Sequence, residues 1–458
     1  MLKQKQVLSS PLFRIFLLAI AVRLVFVWLY PGSAYYSGIT GEYLDAAKNL
    51  LSGHGLSAYV DVAPFSSGAT HFTYLPFIGR PIGYVLYFVV IALFVGMQPI
   101  AFQIGQAIIT SCSVFLVAAL VRESFGPSDR TERIVKWAAI LAAVWPNQAR
   151  FEIALLPDGI VTLIMLAIPL LLIKYIHSRN SKYLFYAALT LGASIFFRPD
   201  LVLLPPFLLV ALLLILPWKE TLKIAVLLGV VLAIAVGINT WKNYAISGEI
   251  VPLNLGSGTT MYEGISQFGD TLGTTYADER VSHNVFDTKQ LFYPNGKTND
   301  QKLFVIAVDT IKHHPWFYAT VVLRRIPLMF TVRGLFFSDS VSFSKPSDDL
   351  SQRFPGRYIA MFKEKPIEFV VRMLSPLLGW LLLTCGGIGL LLAMRGDAKA
   401  HQLLAIFLFY YIATHLMTNV EPRYFYPAVP LLYGYAIFLL QRRGAPAQSK
   451  ANIVQLRR

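Results

Sequence analysis

The chain has 458 residues, of which 55% are hydrophobic and 14% charged, with a formal net charge of +15. A soluble protein averages roughly 25% charged residues, so most of this chain is composed to face lipid. Its Lys and Arg cluster between apolar runs, as in cytoplasmic membrane loops, which argues against nucleic acid as the reason for the positive charge.

Crossing a hydrocarbon core of about 30 Å takes roughly 20 apolar residues, and inside it only helices or closed barrels satisfy the backbone. The Leu/Ala/Val/Ile runs predict about ten helical spans, near residues 12–30, 102–121, 136–148, 157–175, 183–197, 200–217, 221–241, 373–394, 402–419 and 424–441. The first has Lys3, Lys5 and Arg14 before it but is too long for a signal-peptide core, so it reads as an uncleaved span. Residues 82–96 are also apolar. A full crossing there would put the basic linkers on alternating sides, so this stretch reads as a partial or re-entrant helix.

With that assignment, the linkers Arg122 to Lys136, Lys174 to Lys182, Lys219 to Lys223 and Arg395 to Lys399, and the tail 442–458, share the cytoplasmic side. The opposite, external face receives 31–81, the turn at 149–156, the Arg198-Pro199 junction, 242–372 and the turn at Glu421. Four regions follow: an N-terminal membrane module, 1–241; an external loop domain, 242–372; C-terminal membrane helices, 373–441; and the tail. Within the loop domain, 315–337 is apolar but carries Arg324, Arg325 and Arg333, each costing about 3 kcal/mol at a membrane centre, so it reads as an amphipathic surface helix. Cys112 and Cys385 sit inside apolar runs and read as small buried core residues. The eight His show no HExxH or close His/Cys pairing, hence no metal signature.

Candidates for chemistry are the ionisable residues of the external turns. In GEYLDAAKNLLSGHG, Tyr43, Ala46, Ala47, Leu50 and Leu51 form one helical face. Glu42 and Asp45 lie near the start of that helix, either as complements to its dipole or as proton acceptors. Arg80, in GRPIGY, either snorkels or donates paired hydrogen bonds to a lipid phosphate. The turn WPNQARFEIALLPDG carries Arg150, Glu152 and Asp158; Arg198 stands before Pro199, and Glu421 and Arg423 stand in the last turn. Any one of these has a bland explanation. Five turns each bringing an Arg or a carboxylate to one face point to a site.

In this order EYLDAAKNLLSGHG, RPIGY, WPNQARFEIALLPDG, FFRPD, WKNYAISGEIVPLNLGSG with MYEG, and EPRYFYPAVP resemble the GT-C superfamily of polyprenyl-phosphate-sugar-dependent glycosyltransferases. The resemblance is nearest to the protein mannosyltransferase and aminoarabinose transferase-like group and runs from residue 12 to 441. It implies an all-α multi-span bundle with external juxtamembrane helices and a small external domain. It also implies transfer of a sugar, with inversion, from a polyprenyl phosphate to a lipid, glycan or protein acceptor on the external, periplasmic face of a bacterial plasma membrane. A first-loop carboxylate would be the base. Arg80 matches a phosphate-binding basic residue and Asp158 the acidic residue that opens a later span; Tyr84, Arg150, Arg198, Lys242, Tyr262 and Arg423 are the further substrate or phosphate candidates.

The chain departs from the pattern at Ile39. Family members commonly carry the basic Asp four residues before the Tyr of the first-loop helix, here Tyr43. Ile accepts no proton, so Glu42, then Asp45, is expected as its substitute, or the scaffold binds lipid-linked glycan without transfer. Gly79 stands where relatives can carry a metal-binding Glu, so neither metal nor other cofactor is expected. A polysaccharide polymerase or ligase is the alternative enzyme; a transporter would show inverted repeats, and none is evident.

Overall fold

The computed structural model describes residues 10–29, 37–330, 363, 366–396 and 399–443. Helix α1 is Pro11–Leu29, α2 Ser37–Leu51, α3 Gly83–Val95, α4 Pro99–Ser111, α5 Ser113–Phe125, α6 Asp129–Val144 and α7 Pro146–Ile153. There follow α8 Asp158–Ser178, α9 Ser181–Ser194, α10 Leu204–Ala211, α11 Trp218–Ser247, α12 Ser257–Ile265, α13 Asp278–Phe286, α14 Gly296–His313 and α15 Pro315–Met329. The C-terminal helices are α16 Pro366–Ala393, α17 Lys399–Met417 and α18 Tyr433–Arg443, the last preceded by a 3-10 helix, Pro422–Leu432.

The protein is an all-α polytopic membrane protein. Among the described residues six segments are long and apolar enough to cross a bilayer: α1, α4 with α5, α8, α11, Pro376–Ala393 of α16, and α17. The other expected spans fall on shorter elements, for reasons visible in the sequence. Pro146, which has no N–H to donate, divides 136–148 between α6 and α7; Pro199 separates α9 from a 3-10 turn and α10; Pro427 and Pro430 keep 422–432 in the 3-10 form. The expected span at 102–121 is two helices meeting at Cys112. That cysteine is exposed on the bundle surface rather than buried, and Cys385 is half-buried. Helix α3, with 13 residues, is about 20 Å long, too short for a crossing of about 30 Å, in keeping with a partial helix.

Two cores organise the chain. The larger joins residues of α1, α5, α6 and α8–α11 to α16–α18. The second combines Tyr43, Ala46 and Ala47 of α2 with Tyr84 and Phe88 of α3, Tyr262 of α12, Leu303 of α14 and Tyr318 of α15. The first loop and the segment following α11 therefore share one core, although they were expected as parts of separate regions. A two-stranded antiparallel hairpin also belongs here: Ser57–Asp61 pairs with Phe72–Pro76 in a register that sets Tyr59 opposite Tyr74.

Helix α15 corrects the expected surface helix. Arg324 is exposed, but Arg325 is fully buried: its Nε donates to Gln267 Oε1 at 2.9 Å, Nη1 to the Leu416 carbonyl at 2.7 Å and Nη2 to that of Gly264. Burial is tolerable because the fork finds three oxygens. Arg333 and the basic tail beyond 443 lie outside the described residues.

Candidate active site

Helix α2 buries Tyr43, Ala46 and Ala47, and its Thr40 Oγ1 donates to the Leu155 carbonyl at 2.9 Å, fixing the helix against the turn before α8. Leu51, expected on that face, is exposed. Glu42 is left at the helix edge, where Arg80 Nε donates to its Oε2 at 2.9 Å and Nη2 to its Oε1 at 3.3 Å. Asp278, opening α13, lies 3.9 Å from the same guanidinium. Burial works against the charge on Arg80, but the Glu42 and Asp278 carboxylates more than offset it and hold its pKa above the ordinary value. Three residues on, Gly83 N donates to the Phe196 carbonyl at 2.5 Å, a backbone approach with no room for a Cβ.

A second charged group stands at the starts of α8 and α10. Asp158 accepts from Arg198 Nη1, whose Nη2 lies 2.7 Å from Asp200 Oδ2; His415 Nε2 lies 3.6 Å from that oxygen. The Arg198 guanidinium sits 4.9 Å from the centroid of the Tyr424 ring. Arg423 pairs with Glu421 at 2.8 Å, and Tyr424 Oη donates to Glu421 Oε1 at 3.2 Å. Buried Tyr43 lies within the field of both groups. Burial raises its phenol pKa, Arg80 and Arg198 oppose that, and Glu42 and Asp158 add to it.

Helix α12 supplies a third member. Asp300 Oδ1 accepts from the backbone N–H of Thr259 at 2.9 Å, satisfying an otherwise open donor of the first turn, and Arg325 grips the other end through the Gly264 carbonyl. Gly264 packs so closely on the Thr418 carbonyl that no side chain fits. This mount holds Glu263 with 8% of its surface exposed and Oε1 without a hydrogen bond. Its pKa is raised well above 4.5 by burial, then by the neighbouring Asp278 and Glu421 carboxylates, with Arg80 opposing. Nearby Tyr276 is pushed up to about 12, chiefly by burial and then by Glu421 and Glu263. Like charges crowded in a poorly hydrated site keep one carboxyl protonated.

One buried amide joins the groups. Gln106 Nε2 donates to the carbonyls of Glu152, Ala154 and Leu156 at 2.8, 2.6 and 3.3 Å, and its Oε1 accepts from Tyr84 Oη at 2.6 Å. Tyr84 in turn meets Tyr43 edge to face at 5.3 Å. The turn delivering Asp158 is thereby registered against the helix delivering Glu42.

Glu42, Asp158, Arg80, Arg198 and Arg423 thus fall on one side of the bundle. Asp45 does not join them: it is exposed on the outer face of α2, with Lys48 as its charged neighbour. Tyr84 is occupied with Gln106, and Tyr262 Oη donates to the Gly273 carbonyl at 3.3 Å, so both are building residues of the site's walls. Arg150 is buried in α7, and Lys242 is half-buried near the end of α11. Glu152 faces away from the cluster and pairs with Arg23 of α1. Sequence reasoning missed Glu263, Asp278, Gln106 and His415 as site members. Only Glu263 had a signal, as the neighbour of the Tyr262 it singled out in MYEG. No group of three His, Cys, Asp or Glu suited to a metal ion occurs among the described residues.

Residues 80–241 match the family model of dolichyl-phosphate-mannose-protein mannosyltransferase. The chain is also similar to the oligosaccharyltransferase of Archaeoglobus fulgidus in its apo form, at 13% identity and a TM-score of 0.49, over 96% of this chain and 52% of that one. The same archaeal enzyme in complex with an inhibitory peptide and a dolichol-phosphate gives 12% identity and a TM-score of 0.49, over 97% and 53%. Tethered to an acceptor peptide, it gives 12% and 0.44, over 95% and 50%. The chain spans about half the length of these structures. No curated protein matches it.

Proposed function

We propose that this integral membrane protein is a glycosyltransferase that moves a sugar from a polyprenyl-phosphate donor to an acceptor on the external face, inverting the anomeric carbon. The observation that carries the reading is the meeting of Glu42–Arg80 and Asp158–Arg198 beside Tyr43 on one side of the bundle. A glycosyl phosphate needs two things of its enzyme: fixed positive charge where the departing phosphate gathers negative charge, and a base for the proton of the incoming hydroxyl. Arg80 and Arg198 would hold the phosphate, Glu42 would take the proton, and Asp158 would fix Arg198. The acceptor oxygen bonds to the anomeric carbon as the carbon–oxygen bond to phosphate breaks; the electron pair stays on the phosphate.

Incubation of the purified, lipid-embedded protein with polyprenyl-phosphate sugars tests this. Sugar consumption with release of polyprenyl phosphate is the expected result, abolished in Glu42→Gln. Failure to bind any polyprenyl phosphate would end the reading. A second reading, a non-catalytic lipid-glycan binding subunit, draws on Ile39 at the position where relatives carry the base; binding without consumption would select it.

A further inference from the structure

Three of the protein's arginine–carboxylate groups differ sharply in construction. Arg23 and Glu152 are both fully buried, and each has other partners: Arg23 donates to the carbonyls of Ala19, Ala142 and Ala143, while Gln148 Nε2 donates to Glu152 Oε1 at 2.9 Å. Arg198 is shared by two carboxylates and faced by Tyr424. Glu42 and Arg80 differ from both. Their side chains are 34% and 20% exposed, and Arg80 is the sole hydrogen-bonding partner of the Glu42 carboxylate among the described residues. A Cβ added at Gly38 or Gly41 on the same helix would meet no atom of the described residues within 4 Å. Arg80 is held differently: Phe292 lies 5.3 Å from its guanidinium, and Asp278 flanks it.

Resting on the reading above, we propose that the Glu42–Arg80 pair is an exchangeable latch: a polyprenyl-linked phosphate takes over the Arg80 guanidinium and displaces Glu42, releasing it to accept the acceptor proton. Phosphate and carboxylate compete for the same fork of N–H donors, and phosphate brings more negative charge to it. While the donor is absent both carboxylate oxygens of the base are engaged by the N–H groups of the arginine. Donor binding removes that restraint, so the base is armed only when a leaving phosphate is in place. The proton then passes from the acceptor hydroxyl to Glu42 as its oxygen bonds to the anomeric carbon, and the phosphate leaves with the electron pair on Arg80.

The test is carbodiimide footprinting of carboxyl groups by mass spectrometry on the full chain in lipid nanodiscs, with and without undecaprenyl phosphate. Labelling of Glu42 should rise several-fold on addition of the lipid while that of Glu152 stays constant. Separately, Glu42→Gln should bind undecaprenyl phosphate on the order of three- to tenfold more tightly, because a fraction of the wild-type protein is latched against it. Protection of Glu42 by the lipid, or unchanged labelling with wild-type binding intact, overturns the latch and leaves the transferase reading standing. If neither protein binds the lipid, both readings fall. Should Glu42→Gln misfold, the footprint on the wild type decides alone.

Discussion

Arg23→Leu offers a sharp test of the packing logic, because the arginine sits fully buried in α1 and is matched to a carboxylate 129 residues away. Its Nε donates to Glu152 Oε2 at 2.8 Å, Nη2 to the same oxygen, and the guanidinium also donates to the Ala19, Ala142 and Ala143 carbonyls at 3.1, 3.2 and 3.4 Å. Removing the cation strands a buried carboxylate whose remaining side-chain donors, Gln148 and Thr110, are neutral. The expected cost is about 3–5 kcal/mol. Replacing both partners, Arg23→Leu with Glu152→Leu, removes the uncompensated charge, so the double variant should recover to within about 2 kcal/mol of the parent. Thermal unfolding in detergent, followed by a conformation-sensitive signal on all variants, measures both. If the double variant is no more stable than Arg23→Leu, the pair is not the electrostatic unit described and the reasoning fails.

Three further outcomes follow. Arg198→Met should lower transfer from a polyprenyl-phosphate donor by about 100- to 1,000-fold, the usual loss of one fixed charge at a leaving group, read as turnover per folded molecule on that donor. Gln106→Leu should destabilise by about 2–4 kcal/mol, since it strands Tyr84 Oη and the carbonyls of Glu152, Ala154 and Leu156; a melting temperature within 1 °C of the parent would contradict it. Glu263, with its pKa raised in the fold, binds more proton folded than unfolded, so its contribution to stability falls as pH rises above about 4.5. Glu263→Gln should flatten that slope between pH 5 and pH 8 in melting-temperature scans, and an unchanged slope would show that Glu263 is ionised throughout.

Much of this was legible in the chain. Apolar periodicity yielded the bundle, and the basic linkers put the turns carrying Glu42, Arg80, Asp158, Arg198 and Arg423 together, because both signals are local and physical. Pairings were not legible. That Arg198 meets Asp158, or Arg325 meets Gly264, depends on which helices pack, and nothing local to either residue encodes it. Arg23 did carry a signal, a lone cation inside an apolar run, but the length of that run masked it. The hairpin was likewise readable in the alternation of SAYVD and FTYLP, yet its rings face outward while Ala58 and Val60 join the core, so the segment looked like an ordinary loop. Glu263 was obscured by its neighbour Tyr262, the larger and more conspicuous side chain.

The 3-10 segment Pro422–Leu432 has a consequence for reach. Its 11 residues rise about 2.0 Å each, so they extend about 22 Å where an α-helix of the same length would extend about 16 Å. The segment leading into α18 is a narrow strut rather than a thick cylinder, with Arg423 and Tyr424 in its first turn and the Tyr424 ring against the Arg198 guanidinium. Side chains on such a strut repeat every third residue, so inserting a single residue there would swing Arg423 and Tyr424 by about a third of a turn and lift them about 2 Å. Length in this short stretch is therefore constrained far more tightly than in the surrounding loops.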